Sequence, residues 1–173
     1  MALNTEDYAT ILESFLSMIE ADKTVIVGHS FGGKVATLLQ PDVLVLVASA
    51  GILVPKPFKV RAKIALFKLL KFIRLSALRR FFVAPDAQGL TPVMYETFKN
   101  VVNEDFTEKF RAFKGLALLC FGRQDTATPL WTAHKMAEVM DNARVVEFDG
   151  DHYFFLEQSA SVAKEIETTV LKS

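Results

Sequence analysis

A serine with a glycine two residues away on each side, Gly28-His29-Ser30-Phe31-Gly32, is the stretch of this chain best suited to covalent chemistry. A serine hydroxyl is a poor nucleophile until a base takes its proton during attack. Three histidines are available for that role. His29 sits inside the pentad and points away from the neighbouring serine. His134 falls in the middle of an expected helix, among Trp131, Lys135 and Met136, where a surface or packing role suits it. His152 follows the last expected strand, in Asp149-Gly150-Asp151-His152-Tyr153-Phe154. Loops at the carboxyl ends of parallel strands are where open α/β sheets do chemistry, so His152 is the candidate base. Such a base needs a carboxylate to fix its tautomer and stabilise the imidazolium. Asp125, in Phe121-Gly122-Arg123-Gln124-Asp125-Thr126, directly follows another strand and falls at the same sheet edge as Ser30 and His152. Asp149 and Asp151 lie nearer His152 in sequence, but a carboxylate so close along the chain rarely reaches round to the far ring nitrogen. The competing role for Asp125 is to cap a helix starting near Pro129. The chemistry in view is nucleophilic attack by Ser30 on a carbonyl.

The elements that must position these residues are legible as well. Thr24-Val25-Ile26-Val27 is a β-branched run that reads as a strand buried on both faces. Gly33-Lys34-Val35-Ala36-Thr37-Leu38-Leu39 reads as a helix, with Pro41 just past its end. Strand, sharp turn and helix with serine at the apex is the context of a nucleophile elbow. Gly28 and Gly32 are expected to let strand and helix pass closely without Cβ clashes. Before this unit, Asn4 or Thr5 can cap a helix with an apolar face of Tyr8, Ile11, Leu12, Phe15 and Ile19. After it, Val43–Ala48 is a second strand with no polar alternation, which points to a parallel sheet covered by helices. Leu116–Phe121 and Arg144–Phe148 supply two more strands. Helices fit at about Leu130–Met140 and Gln158–Leu171, with Met136, Val139, Val162, Ile166 and Val170 facing inward. The class is therefore α/β, a mostly parallel sheet flanked by helices.

Composition narrows the options further. The chain has 173 residues, 51% of them apolar and 23% charged, which suits one globular domain. Its formal net charge of zero gives no reason to expect nucleic acid. A single cysteine, Cys120, excludes a disulfide framework and reads as a buried core thiol. No apolar stretch is long enough for a membrane span, and the amino terminus turns acidic at once, unlike a secretory signal. A reducing, cytoplasmic setting is the expectation.

The order Ser30, Asp125, His152 is that of the α/β-hydrolase triad. The chain resembles that family, specifically its lid-bearing esterase, lipase and carbon–carbon hydrolase branch. The resemblance rests on GHSFGG (Gly28–Gly33), LVLVASAG (Leu44–Gly51), FGRQDTATP (Phe121–Pro129) and DGDHYFFLEQ (Asp149–Gln158). It implies Ser30 as nucleophile, Asp125 as acid, His152 as base, and the Phe31 amide as one oxyanion donor. Such chemistry calls for no metal or cofactor. The family also places several strands and a His-Gly oxyanion loop ahead of the first helix seen here. The chain thus looks like an N-terminally truncated hydrolase, its activity impaired by the missing loop. One side of the Thr24–Val27 strand is then expected to be a bare edge, through which the chain could associate with itself or pair with another segment.

Residues 53–111 differ from the rest, with helical periodicity and no convincing strand. They are expected to form a helical cap inserted into a core of residues 1–52 and 112–173. Phe58, Ala62, Ala65, Leu69 and Phe72 make one apolar stripe, and from Gly51 to Pro85 there are nine basic residues and no acidic one. Phe58, Leu69 and Phe72 are expected to line an acyl pocket or pack the cap onto the sheet. His29 and Trp131 are further candidate substrate contacts. The expected partner is a small acyl substrate. The basic stripe is read first as a solvated face, and binding to an anionic membrane is not expected.

Overall fold

The computed structural model describes residues 1–55 and 91–171 of the chain, and all that follows concerns those residues. The expectations for Phe58, Leu69 and Phe72, and for the basic run from Lys56 to Arg80, lie outside them.

Helix α1 (Thr5–Leu16) begins at Asn4. The Asn4 side chain accepts from the Asp7 N–H while the Asp7 carboxylate accepts from the Asn4 N–H, satisfying two orphan amides reciprocally. Strand β1 (Val25–His29), helix α2 (Phe31–Leu38) and strand β2 (Val43–Val47) follow, then helices α3 (Pro92–Val102) and α4 (Thr107–Ala112). The remainder is β3 (Leu116–Gly122), α5 (Leu130–Val139), β4 (Ala143–Phe148), the short α6 (Phe154–Glu157) and α7 (Ser159–Val170). The four strands are all parallel in the order β1-β2-β3-β4. The register runs His29 beside Val47, Val47 beside Cys120, and Gly122 beside Phe148. Strand ends that are distant in sequence are therefore level with one another.

Alternation along the strands sorts the core into two layers. Leu44, Leu46, Ala117, Leu119 and Phe121 face one side, where Ala36 of α2, Ala133 and Met136 of α5, and Phe106, Phe110 and Phe113 cover them. Val43, Val45, Val47, Leu118 and Cys120 face the other, packed by Phe154 of α6 and Val162 of α7. Phe106 and Phe110 thus belong to the packing of the sheet, and the Phe106 N–H donates to the Gly51 carbonyl at 2.8 Å. Burial pushes the Cys120 thiol up to about 12, so it is an unreactive core group.

Two expectations fail here. Strand β1 is not buried on both faces. Ile26 packs into the first layer, but Val25 and Val27 are 38% and 52% exposed. Among the described residues, the side chains of α6 and α7 reach β2, β3 and β4 on that face and leave Val25 and Val27 of the edge strand uncovered. Ile11, Leu12 and Phe15 of α1, with Ile19 beyond its end, do not form a buried face. All four are exposed, and the buried residues are Thr5 and Ala9, with Tyr8 edge-on to Phe31 at 5.3 Å. The period of the helix was legible, but not which of its sides meets α2.

An unforeseen element ties α3 to α2. Lys34, only 3% exposed, donates to the Val101 carbonyl at 2.6 Å, lies 3.5 Å from Glu104 Oε2 and sits 5.2 Å above the Phe106 ring. The Thr5 hydroxyl donates to the same Glu104 carboxylate. Burial holds the Lys34 ammonium below the ordinary lysine range, and the Glu104 charge partly offsets it.

Candidate active site

Ser30 stands between β1 and α2 with φ 51° and ψ −120°, a backbone region that L-residues seldom adopt. Local hydrogen bonds hold it there. Its N–H donates to the Val47 carbonyl at 3.1 Å, and its carbonyl accepts from Gly33 at 3.1 Å and Ala50 at 3.0 Å. A Cβ on Gly28 would lie 2.5 Å from the Gly32 carbonyl oxygen and 2.6 Å from the Gly33 Cα. One on Gly33 would meet the Ser49 hydroxyl at 2.0 Å. Gly28 therefore lets β1 pass the start of α2, and Gly33 lets α2 pass the end of β2. Gly32, expected to share that role, has none of the described residues within 4 Å of its Cβ position, so it does not take part in that close passage.

Asp125 and His152 are brought together as expected. His152 Nδ1 lies 2.8 Å from Asp125 Oδ2, with the two side chains 16% and 0% exposed. A carboxylate only accepts, so Nδ1 carries the hydrogen and Nε2 is the nitrogen left with a lone pair. The Asp125 loop does not cap α5. Pro129 occupies the cap position of that helix without a side-chain bond. Asp125 Oδ1 instead accepts from the Ala127 and Thr128 amides at 2.8 and 2.9 Å, and Oδ2 accepts from the Thr128 hydroxyl at 2.8 Å. Burial raises the carboxyl, but the bonds from His152, Thr128 and Ala127 outweigh it and hold Asp125 below the usual carboxylate range. Asp149 and Asp151 are engaged elsewhere: Asp149 pairs with Arg123 at 2.8 Å, and Asp151 accepts from the Tyr153 amide at 2.8 Å.

The loop carrying His152 is seated by Gly122, where a Cβ would stand 2.5 Å from the carbonyl oxygens of both Gly150 and Asp151. The Gln124 amide N–H donates to the Gly150 carbonyl at 2.9 Å, and the Gln124 side-chain oxygen accepts from the Gly150 N–H. The loop after β3 and the loop after β4 are thus one bonded unit.

Among the described residues Ser30 Oγ makes no hydrogen bond. The Phe31 amide occupies the first position of α2, where no intrahelical carbonyl is available to it. His29 does not stand free: its Nε2 lies 3.2 Å from the His152 carbonyl, and its ring stacks near His152, Tyr153 and Phe155 at 4.7, 5.7 and 4.8 Å. Burial lowers its proton affinity, with the His152 carbonyl opposing that effect. Trp131 is in the first turn of α5, 43% exposed. His134 lies 3.6 Å from Glu147 on the outer face of that helix. Thr128, which ties the acid in place, went unread in the sequence because hydroxyl residues after an aspartate are common in turns. Among the described residues no cluster of three or more His, Cys, Asp or Glu is arranged to hold a metal ion, and no helix is long and apolar enough to cross a membrane.

Solved structures share this fold. A serine hydrolase involved in carbazole degradation (CarC) matches with a TM-score of 0.73 at 19% identity, over 100% of this chain and 73% of that one. The esterase EaEST from Exiguobacterium antarcticum matches with a TM-score of 0.71 at 16% identity, over 98% of this chain and 74% of that one. The meta-cleavage product hydrolase CumD from Pseudomonas fluorescens IP01 gives 0.67 at 16% identity, over 99% of this chain and 73% of that one. At such identities the likeness establishes the fold alone. No curated protein sequence matches the chain. The sequence profile of the Alpha/beta hydrolase family matches residues 2–165, nearly the whole length, and to that family this chain belongs.

Proposed function

We propose that the protein is a serine hydrolase that cleaves an ester or related acyl bond through Ser30, His152 and Asp125. The observation that carries this reading is the buried 2.8 Å bond between His152 Nδ1 and Asp125 Oδ2, at the same sheet edge as a strained serine. The bond leaves Nε2 as the proton acceptor. Ser30 Oγ attacks the substrate carbonyl as Nε2 takes its proton, and Asp125 stabilises the imidazolium that forms. The Phe31 amide, at the positive end of α2, donates to the oxyanion. The imidazolium then protonates the leaving alcohol, and an acyl-enzyme remains. Water, deprotonated by His152, releases the acid and restores Ser30. Ser30 and His152 close to hydrogen-bond distance once substrate fills the site.

Residues 53–111, apart from the stretch with Phe106 and Phe110 that packs the sheet, serve in this proposal as a cap, with Phe58, Leu69, Phe72 and the exposed Trp131 as acyl contacts. His29 serves the site from behind, holding the His152 loop. A second reading, hydrolysis of a carbon–carbon bond in a diketone-like acid, uses the same three residues. The CumD-like fold and the basic run of the cap favour it.

Fluorophosphonate labelling tests the shared core of both readings. The expected result is one adduct per chain, mapped to Ser30 by peptide mass spectrometry and lost in Ser30→Ala. Absence of labelling in the intact chain would leave a non-catalytic binding module as the better description. Comparing p-nitrophenyl ester turnover with that of a 1,3-diketone acid then separates the two activities.

A further inference from the structure

Thr128 is 7% exposed and stands where three groups meet. Its Oγ1 lies 2.8 Å from Asp125 Oδ2, 3.0 Å from the Ala48 carbonyl and 3.3 Å from His152 Nδ1. Its amide holds the other Asp125 oxygen at 2.9 Å. Ala48 is itself unusual, a non-glycine residue with φ 43° at the end of β2. That backbone turns its carbonyl toward the loop after β3, and its N–H donates to Cys120 at 2.9 Å. We propose that Thr128 is a positioning residue that acts through Asp125, fixing the carboxylate against His152 and tying it to the end of β2.

Thr128 has a single hydroxyl hydrogen, and both Ala48 O and Asp125 Oδ2 can only accept it. The bond to the ionised carboxylate is the stronger, so the hydrogen rests on Oδ2 while the Ala48 carbonyl marks its alternative position. Oδ2 then receives two donors, Thr128 Oγ1–H and His152 Nδ1–H. Sharing its charge between them weakens the carboxylate's pull on the imidazole hydrogen. The Oγ1 lone pairs also face His152 Nδ1–H. Without the hydroxyl, Oδ2 has one donor and holds the imidazole hydrogen harder.

The proposal rests on the hydrolase reading, and two readouts keep their failures apart. The variants are Thr128→Val, which keeps the shape and removes the hydroxyl, and Thr128→Ser, which keeps it. In Thr128→Val the acid limb of kcat/KM against pH is expected to move upward by about half a pH unit or more. The rate constant kcat is expected to fall roughly tenfold with KM changed less than about twofold. Thr128→Ser is expected to restore both. Independently of turnover, the Nδ1–H proton resonance of His152 in the full chain is expected to move downfield in Thr128→Val and to return in Thr128→Ser. A loss of thermal stability in Thr128→Val with neither the resonance nor the acid limb displaced would overturn the proposal, as would a failure of serine to rescue. Absence of fluorophosphonate labelling with the resonance shift present would instead overturn the hydrolase reading and leave the role of Thr128 standing.

Discussion

His29 and His152 are joined: Nε2 of the first donates to the carbonyl of the second across 3.2 Å, and their rings lie 4.7 Å apart. Because a carbonyl only accepts, this contact fixes the His29 tautomer with its hydrogen on Nε2. The residue before the candidate nucleophile therefore holds the backbone of the candidate base. His29→Phe would keep the ring packing and lose the bond. Misplacing a catalytic group by a fraction of an ångström costs roughly tenfold to a hundredfold in rate, so kcat is expected to fall within that range. Steady-state kinetics on an activated ester check this, and an unchanged kcat would show that the loop needs no such anchor.

Gly122→Ala presses on the same loop from the other side. Its Cβ would stand 2.5 Å from two backbone carbonyl oxygens, and backbone cannot give way as a side-chain tip can. The loss of stability is expected to exceed about 2 kcal/mol, with activity reduced in the molecules that remain folded. Chemical denaturation against the parent measures it. A change below about 0.5 kcal/mol, the range of ordinary surface substitutions, would mean the two loops move apart freely.

The two pentad glycines should behave oppositely. Gly28→Ala collides with the backbone of Gly32 and Gly33 and is expected to prevent the elbow from closing. Gly32→Ala meets none of the described residues and lies inside a helix, where alanine is favoured by about 0.5–1 kcal/mol. Urea midpoints of the two variants should therefore fall on either side of the parent. Equal destabilisation by both is the result that would count against this geometry.

Stability should also depend on acid through Asp125. Unfolded, an aspartate titrates near 3.9, while in the fold this one is held lower. Above the unfolded value both states are ionised and the stabilisation is fully present. It is lost as the pH falls from about 4 through the lowered folded value. Thermal melts between about pH 6 and pH 2 should show a loss of midpoint that is shallower in Asp125→Asn. The same variant should lower kcat by about 10³–10⁴-fold, through loss of the tautomer control seen in triads of this type.

Strand β1 offers a further measurement. Among the described residues only β2 pairs with it, and Val25 and Val27 present apolar surface beside the open edge. A strand so placed is a template for another. Light scattering should show mass rising with protein concentration, and Val27→Lys should reduce that rise. A monodisperse monomer at all concentrations, with a sharp melt at high temperature, would show that the edge is covered.

How much of this was legible in the sequence depended on the kind of interaction involved. Apolar runs without alternation placed β2 and β3 to within a residue, because a central parallel strand needs apolar residues on both faces. The same reasoning overstated β1, whose composition is that of a buried strand while its position is at the edge. The spacing of Ile11, Leu12, Phe15 and Ile19 gave a helix, but no single sequence says what lies against its face. Ser30, Asp125 and His152 were singled out as candidates from their places after strand ends, and the pairing of Asp125 with His152 is what the structure adds. Thr128, Lys34 and Gly33 were not, because each also depends on a contact that the fold alone brings near: Thr128 on the Ala48 carbonyl, Lys34 on Val101 and Glu104, and Gly33 on the close approach of Ser49.

That distance has a temporal consequence. The contact between His29 and His152 spans 123 positions, and the register connecting them passes through all four strands. A nascent chain presents Ser30 long before it contains the histidine, and a partly assembled sheet leaves the serine without its proposed base. Reaction of Ser30 with a covalent probe would therefore count only molecules whose last strand has docked. The site is in effect its own gauge of completed folding, and the rate at which labelling appears during refolding would time the arrival of β4.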